Sequence, residues 1–331
     1  MIPDYIPGLG EIGAECRDDF ESLSVGAQGR FQVGREGVKA ILVPKDKKSE
    51  FIIFADKTLV FIRSALGYPA IYPLNEVRFE PPVKAVLMDL DGTSVRSEDM
   101  WMWIIERTVA TLRHDPDFHF VPEDLPHVAG HSVSEHLNYC IEKYCPSATL
   151  EDARNVYFQL VAHEMKEIEE GRGHAEAFHP APGLKEFLLE LKAHGVKIGL
   201  VTSGLFEKAW PEILAAFRTM GLGNPLEFYD SIISAGTPLR KGQVGTLGEL
   251  EPKPHPWLYA ETAAVGLNIA PEDRCHVVGM EDSSAGVLAI RLAGFFTIGV
   301  AGGNYAAGGM RALVNSECDK LTDALPLLLG K

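Results

Sequence analysis

From residue 83 onward, short and almost wholly apolar runs alternate with longer amphipathic stretches. The runs fall at 83–88, 196–201, 228–233, 275–278 and 295–300. A run that is apolar on every residue reads as a strand covered on both faces, as in a parallel sheet. The stretches between, 183–194, 207–220, 256–265 and 283–293, repeat their apolar residues at helical period. This alternation predicts an α/β fold: a doubly wound parallel-sheet core with helices on both faces.

Two regions depart from the pattern. Residues 95–180, between the first and second apolar runs, read as wholly helical, with periodic apolar positions at 101–112, 133–144 and 150–168. An insertion there leaves the core just past its first strand, so it is expected to act as a cap over the strands' carboxyl ends, where ligands bind. Residues 1–80 carry strand-like runs at 31–33, 39–43, 51–54 and 59–62, broken by Gly, Asp and Lys as in hairpins. Pro81 and Pro82 then make a joint that cannot extend a ladder. The expected organisation is a small β-rich N-terminal module at 1–80, a core at 81–94 and 181–331, and a helical cap at 95–180.

With 331 residues, 46% of them apolar, the chain is long enough for more than one unit. Its net charge of −15 argues against a nucleic-acid partner or an anionic membrane surface. Five scattered cysteines read as reduced thiols, and residues 285–303 are too short and too interrupted to span a bilayer. The acidic N-terminus has no basic leader, so a cytoplasmic location is expected.

Directly after the first apolar run comes Asp89-Leu90-Asp91-Gly92-Thr93. Carboxylates two residues apart on an extended strand end point the same way. A calcium loop would need glycine at its sixth position, whereas Gly92 stands fourth. Three further stretches follow later strands: Thr202-Ser203-Gly204, which offers a hydroxyl and N–H groups to an anion; Lys253-Pro254-His255-Pro256; and Gly279-Met280-Glu281-Asp282-Ser283. Singly, they read as a helix cap, a solvated lysine and an N-cap aspartate.

Together, the four stretches closely resemble the haloacid-dehalogenase-like hydrolase superfamily, in its helical-cap branch with the beta-phosphoglucomutase-like phosphatases. The resemblance runs over about residues 83–330 and leaves the first 80 outside. It implies a Rossmann-like core, Asp89 as nucleophile and Asp91 as general acid and base. It implies that Thr202, Ser203 and Lys253 hold the phosphoryl group. Mg²⁺ would be held by Asp89, Asp282, Glu281 and the Asp91 carbonyl. The expected substrate is a small phosphorylated metabolite. A carboxylate meeting a phosphate dianion near 4 Å faces about 8 kcal/mol of repulsion at an effective dielectric of 20, so an acidic protein needs Mg²⁺ and Lys253 at that point.

Asp91 implies a leaving group that needs a proton, hence phosphate-ester hydrolysis. The alternative on the same scaffold is a phosphomutase, whose relatives carry an arginine where this chain has Val133; Arg96, Arg107 and Arg113 lie instead on the first cap helix. A third reading is a regulatory protein acting through its N-terminal module. The resemblance places His131, on the turn between the first cap helices, near the substrate's organic portion. The remaining histidines of the insertion show no metal-ligand spacing, and 236–251 reads as a surface excursion.

Overall fold

The computed structural model describes residues 2–27, 29–62, 70–124, 133–234 and 250–331. The chain divides into two compact units. One comprises Met1–Ser94, Ala181–Phe206 and Asn224–Lys331; the other comprises Val95–Pro180 and Glu207–Gly223.

In the first unit, the chain opens with a small ribbon, β1 (Tyr5–Ile6) against β2 (Gly10–Glu11). An antiparallel meander follows: β3 (Phe20–Leu23), β4 (Ala40–Pro44), β5 (Ser49–Ile53), β6 (Thr58–Ile62) and β7 (Ala70–Leu74), paired in that order. The expected strand at 31–33 is absent, and only an isolated bridge, Val25 to Gln32, forms there. β7 lies at the sheet edge, which is where Pro73 can be tolerated without losing a ladder bond.

The parallel sheet begins with β8 (Ala85–Asp89). The chain leaves through β9 (Val95–Arg96) and returns through β10 (His179–Pro180), an antiparallel pair. Then come β11 (Lys197–Thr202), β12 (Ser231–Ser234), β13 (Val277–Glu281), β14 (Phe296–Val300) and β15 (Ser316–Cys318). The order is β12-β11-β8-β13-β14-β15, all parallel. β8 is central and every residue in it is buried, as its unbroken apolar run requires. Residues 228–233 divide, since Pro225–Phe228 forms a short helix capped by the Asn224 side chain and the strand starts only at Ser231.

Helix Ser284–Ala293 decides how the N-terminal module sits. Ser283 caps its start by accepting from the Gly286 N–H at 3.1 Å, and Gly294, at φ 83°, ends it. Ala289, Ile290 and Ala293 pack with Ala85, Leu87 and Val277 of the parallel sheet. Val287 and Leu288 face the other way, into a core with Phe20, Leu42, Phe51, Val60 and Ile62 of the meander. The helix is apolar all round because it is the middle layer between two sheets. Arg291 is buried in it and donates to the Gly8 carbonyl at 2.7 Å; without an acid beside it, burial pulls its pKa down to about 10. The module therefore packs on the same helix that covers the parallel sheet.

The second unit is built on helices Glu98–Arg113, Val133–Tyr144 and Leu150–Glu169. The expectation of a wholly helical insertion needs one correction, because β9 and β10 close its base as strands. Leu150–Glu169 starts in a capping box formed by Thr149 and Asp152. Arg218, on helix Phe206–Met220, donates to the carbonyls of Ile168 and Glu169 at its far end.

Candidate active site

Parallel register brings the motif residues to one edge of the sheet. Val201 stands level with Asp89, and Met280 with Met88, so Thr202 and Glu281 lie at the ends of the strands flanking Asp89. The carboxylates of Asp89, Glu281 and Asp282 are buried, with ligand atoms within 4.8 Å of one another. Lys253 reaches them from the loop before helix Trp257–Glu261 and bridges two of them. It donates to Asp89 Oδ1 and, at 2.7 Å, to Glu281 Oε1.

The loop after β8 is shaped for this crowding. Gly92 has φ 84°, and a Cβ there would lie 2.2 Å from Asp282 Oδ2. Glycine is required for both reasons: positive φ and close approach. Thr93 Oγ1 donates to Asp282 Oδ1 at 3.2 Å, and Ser94 Oγ donates to the Asp89 carbonyl at 2.5 Å. Asp91 is partly exposed in this turn. Thr202 is buried, its hydroxyl accepting from the Gly204 N–H at 3.0 Å, while Ser203 Oγ accepts from the Lys253 N–H at 3.1 Å. The loops carrying Ser203 and Lys253 are thus tied to each other by that last bond.

Glu281 is fixed more firmly than the sequence implied. Its Oε1 accepts from Lys253 and from the Tyr259 hydroxyl at 3.3 Å, and its Oε2 accepts from the Ser283 N–H at 2.7 Å. Both oxygens are engaged, so Glu281 holds Lys253 in place. Tyr259 also presents its ring to the Lys253 ammonium, 5.1 Å from the centroid. Tyr259 was missed in the sequence; its helical phase marks it only as a core residue. Asn304 accepts from the Ser284 N–H at 2.9 Å, and the Tyr305 N–H donates to the Asp282 carbonyl at 3.1 Å. No motif marks either residue.

The electrostatics follow from crowding. Burial raises the Asp89 pKa well above the carboxylate range and Glu281 adds to it, with Lys253 opposing. Burial works against the Lys253 charge, but Asp89 and then Glu281 outweigh it and hold the ammonium protonated. Among the described residues, the carboxylates of Asp89, Glu281 and Asp282 gather beside the Lys253 ammonium, which pairs with the first two. Hard oxygen donors with excess negative charge fit a divalent cation of the Mg²⁺ class. Asp89, Glu281 and Asp282 each bring a carboxylate oxygen to this cluster, with Asp91 in the loop beside them. His131 and most of 236–251 lie outside the described residues.

Comparison with known proteins agrees with this geometry. Residues 86–222 match the family model for haloacid dehalogenase-like hydrolases. Over 127 residues the chain is 32% identical to the beta-phosphoglucomutase of Bacillus subtilis (strain 168), a stretch covering 38% of this chain and 46% of that protein. The chain thus spans under half the length of the curated relative it matches. Among solved structures, a Thermotoga maritima protein described as a candidate beta-phosphoglucomutase superposes with a TM-score of 0.53 at 21% identity, covering 74% of this chain and 98% of that one. A subfamily IA hydrolase of the same superfamily from Geobacter sulfurreducens gives 0.51 at 16% identity, covering 76% and 98%. These structures share the fold. The match to the haloacid dehalogenase-like hydrolases thus has Asp89 and Asp91 at its head.

Proposed function

We propose that the protein is a Mg²⁺-dependent phosphatase that hydrolyses a small organophosphate through an aspartyl-phosphate on Asp89. The observation that carries this is the buried Asp89–Lys253–Glu281–Asp282 cluster at the carboxyl edge of a parallel sheet. Asp89 attacks phosphorus, forming a carboxylate-oxygen–phosphorus bond as the ester P–O bond breaks. Asp91 gives its proton to the leaving alkoxide, then takes one from the water that attacks the acyl phosphate and frees inorganic phosphate. Lys253, held by Glu281, neutralises the phosphoryl oxygens, and the Thr202 hydroxyl and Ser203 N–H bind them. A bound Mg²⁺ supplies positive charge that offsets repulsion between carboxylate and phosphate.

The second reading, phosphoryl transfer between positions of one sugar, draws on the identity to the Bacillus subtilis mutase. It needs a cation for a second phosphate. Arg107 donates to the Pro116 and Phe118 carbonyls, both at 2.9 Å, and Arg113 donates to the Tyr144 carbonyl at 3.1 Å. Both are occupied within their own unit.

The test is phosphate release from a panel of phosphorylated metabolites with and without Mg²⁺. Release with Mg²⁺ and loss with chelator are expected; isomer without free phosphate would favour the mutase. Asp91→Asn should lose about 10²–10⁴-fold on alkyl phosphates and much less on an aryl phosphate with a good leaving group. Equal losses on both would remove Asp91 from the acid role.

A further inference from the structure

We infer that the N-terminal module is part of the active site's support, and that Tyr72 is a positioning residue for Lys253. The inference rests on the reading of Lys253 as the phosphate-binding ammonium. Tyr72 lies on β7, the last strand of the module, and its hydroxyl hydrogen-bonds His255 Nδ1 at 2.8 Å across 183 residues of chain. His255 is two residues beyond Lys253. It is 3% exposed, and its Nε2 is buried with no hydrogen-bond partner among the described residues. The Tyr72 bond is therefore the polar anchor of that ring.

The contact is wider than one bond. The Trp257 ring meets the same tyrosine edge to face at 6.2 Å. Tyr72 and His255 meet likewise at 5.7 Å. One tyrosine thus grips the Lys253 loop at His255 and the first residue of the helix that follows. That helix also carries Tyr259, which touches Lys253 and Glu281. On the other side, Ser203 holds the Lys253 backbone N–H. The loop is fixed from the core at its start and from the module at its end. A ring held by one polar anchor will shift when that anchor goes, and a small displacement of a charged group can cost up to about 10²-fold in rate.

The experiment uses the full chain with Tyr72→Phe, His255→Asn, His255→Phe and the pair Tyr72→Phe/His255→Phe. It reads kcat and KM on an aryl phosphate, the affinity for inorganic phosphate, Tm, and amide exchange over residues 250–256. Tyr72→Phe keeps the ring and loses only the bond of the hydroxyl. It should lower kcat by about 10-fold, weaken inorganic phosphate and speed exchange at 250–256, with Tm little changed. His255→Asn, which retains an acceptor, should lose less than His255→Phe. The pair should lose no more than His255→Phe alone.

Unchanged exchange and phosphate affinity in Tyr72→Phe overturn the inference. So do additive losses in the pair, or a rate loss that merely follows a fall in Tm. A wild-type protein inert toward every ester overturns the phosphatase reading instead, and the exchange measurement then decides the positioning by itself.

Discussion

Two buried carboxylates, one in each unit, meet a lysine and are treated in opposite ways. Asp124, in the insertion, is fully buried and accepts four hydrogen bonds: Tyr139 and Lys143 at 2.6 Å on one oxygen, Tyr144 at 2.6 Å and the Val121 N–H at 2.9 Å on the other. Burial raises its pKa, but Lys143, Tyr139, Tyr144 and Val121 outweigh it and hold the carboxyl below its ordinary range. Asp89 shares its single lysine with Glu281, sits beside Asp282, and is held high. Asp124 is matched by four donors among the described residues; Asp89 shares the Lys253 ammonium with Glu281. Structural sites complete their hydrogen bonds; on the function proposed above, the Asp89 site gains its remaining partners when a cation and an anionic substrate bind.

The largest expected effect separates the two by activity. Asp89→Asn should cut phosphate release by about 10⁴-fold or more, whereas Asp124→Asn should stay within a few-fold. Comparable losses would break the distinction. The next effect lies in stability. Asp124→Asn loses the Lys143 pairing and turns an NH₂ toward donors, costing about 2 kcal/mol. Asp89→Asn removes crowding and should leave stability in chelator equal or higher.

The pH dependence gives opposite signs. The Asp124 pKa is lowered, so its contribution is fully present above 3.8, the unfolded value, and is lost as pH falls through the folded value. The Asp89 pKa is raised, so metal-free protein loses stability as pH climbs from 3.8 toward the folded value. Urea titrations in chelator at pH 7 and near pH 3 should therefore show the Asp124→Asn deficit shrinking in acid. The Asp89→Asn advantage should shrink there too.

How much of this the sequence carried depends on the range of the interaction. Asp89, Thr202, Lys253 and Asp282 were legible because each follows a local signal, an apolar run or a helix start, and parallel register then brings the ends together. The strands at 40–44, 49–53 and 58–62 were legible by the same token. β7 was not, since Pro73 reads as a breaker and only its edge position permits it. Nor was the module's seat on helix Ser284–Ala293, because an all-apolar helix does not say which sheets cover it. The Tyr72–His255 bond and the Asp124 cluster are partnerships of ordinary residues with no motif spacing. Only the folded chain reveals them.

A smaller effect sharpens the contrast in the insertion. Burial, and next the Asp124 charge, pushes the Cys140 thiol up to about 12, and burial raises Cys145 as well. Thiolate is the reactive form, so both should label slowly in native protein while Cys275, partly exposed, labels fast. Asp124→Asn should loosen this region and speed labelling of Cys140 and Cys145. Asp89→Asn should not, and if it does, the two carboxylates are coupled and the comparison fails.

The central claim is that Asp89 carries the phosphoryl group. Asp91→Asn slows removal of that group while an aryl phosphate still loads it, so the adduct should accumulate. Acid quenching during turnover, borohydride reduction and peptide mass analysis then read which carboxylate was phosphorylated. The account predicts homoserine at position 89, dependent on Mg²⁺ and absent without substrate. Reduction at another carboxylate, or phosphate release with no adduct at position 89, would contradict it.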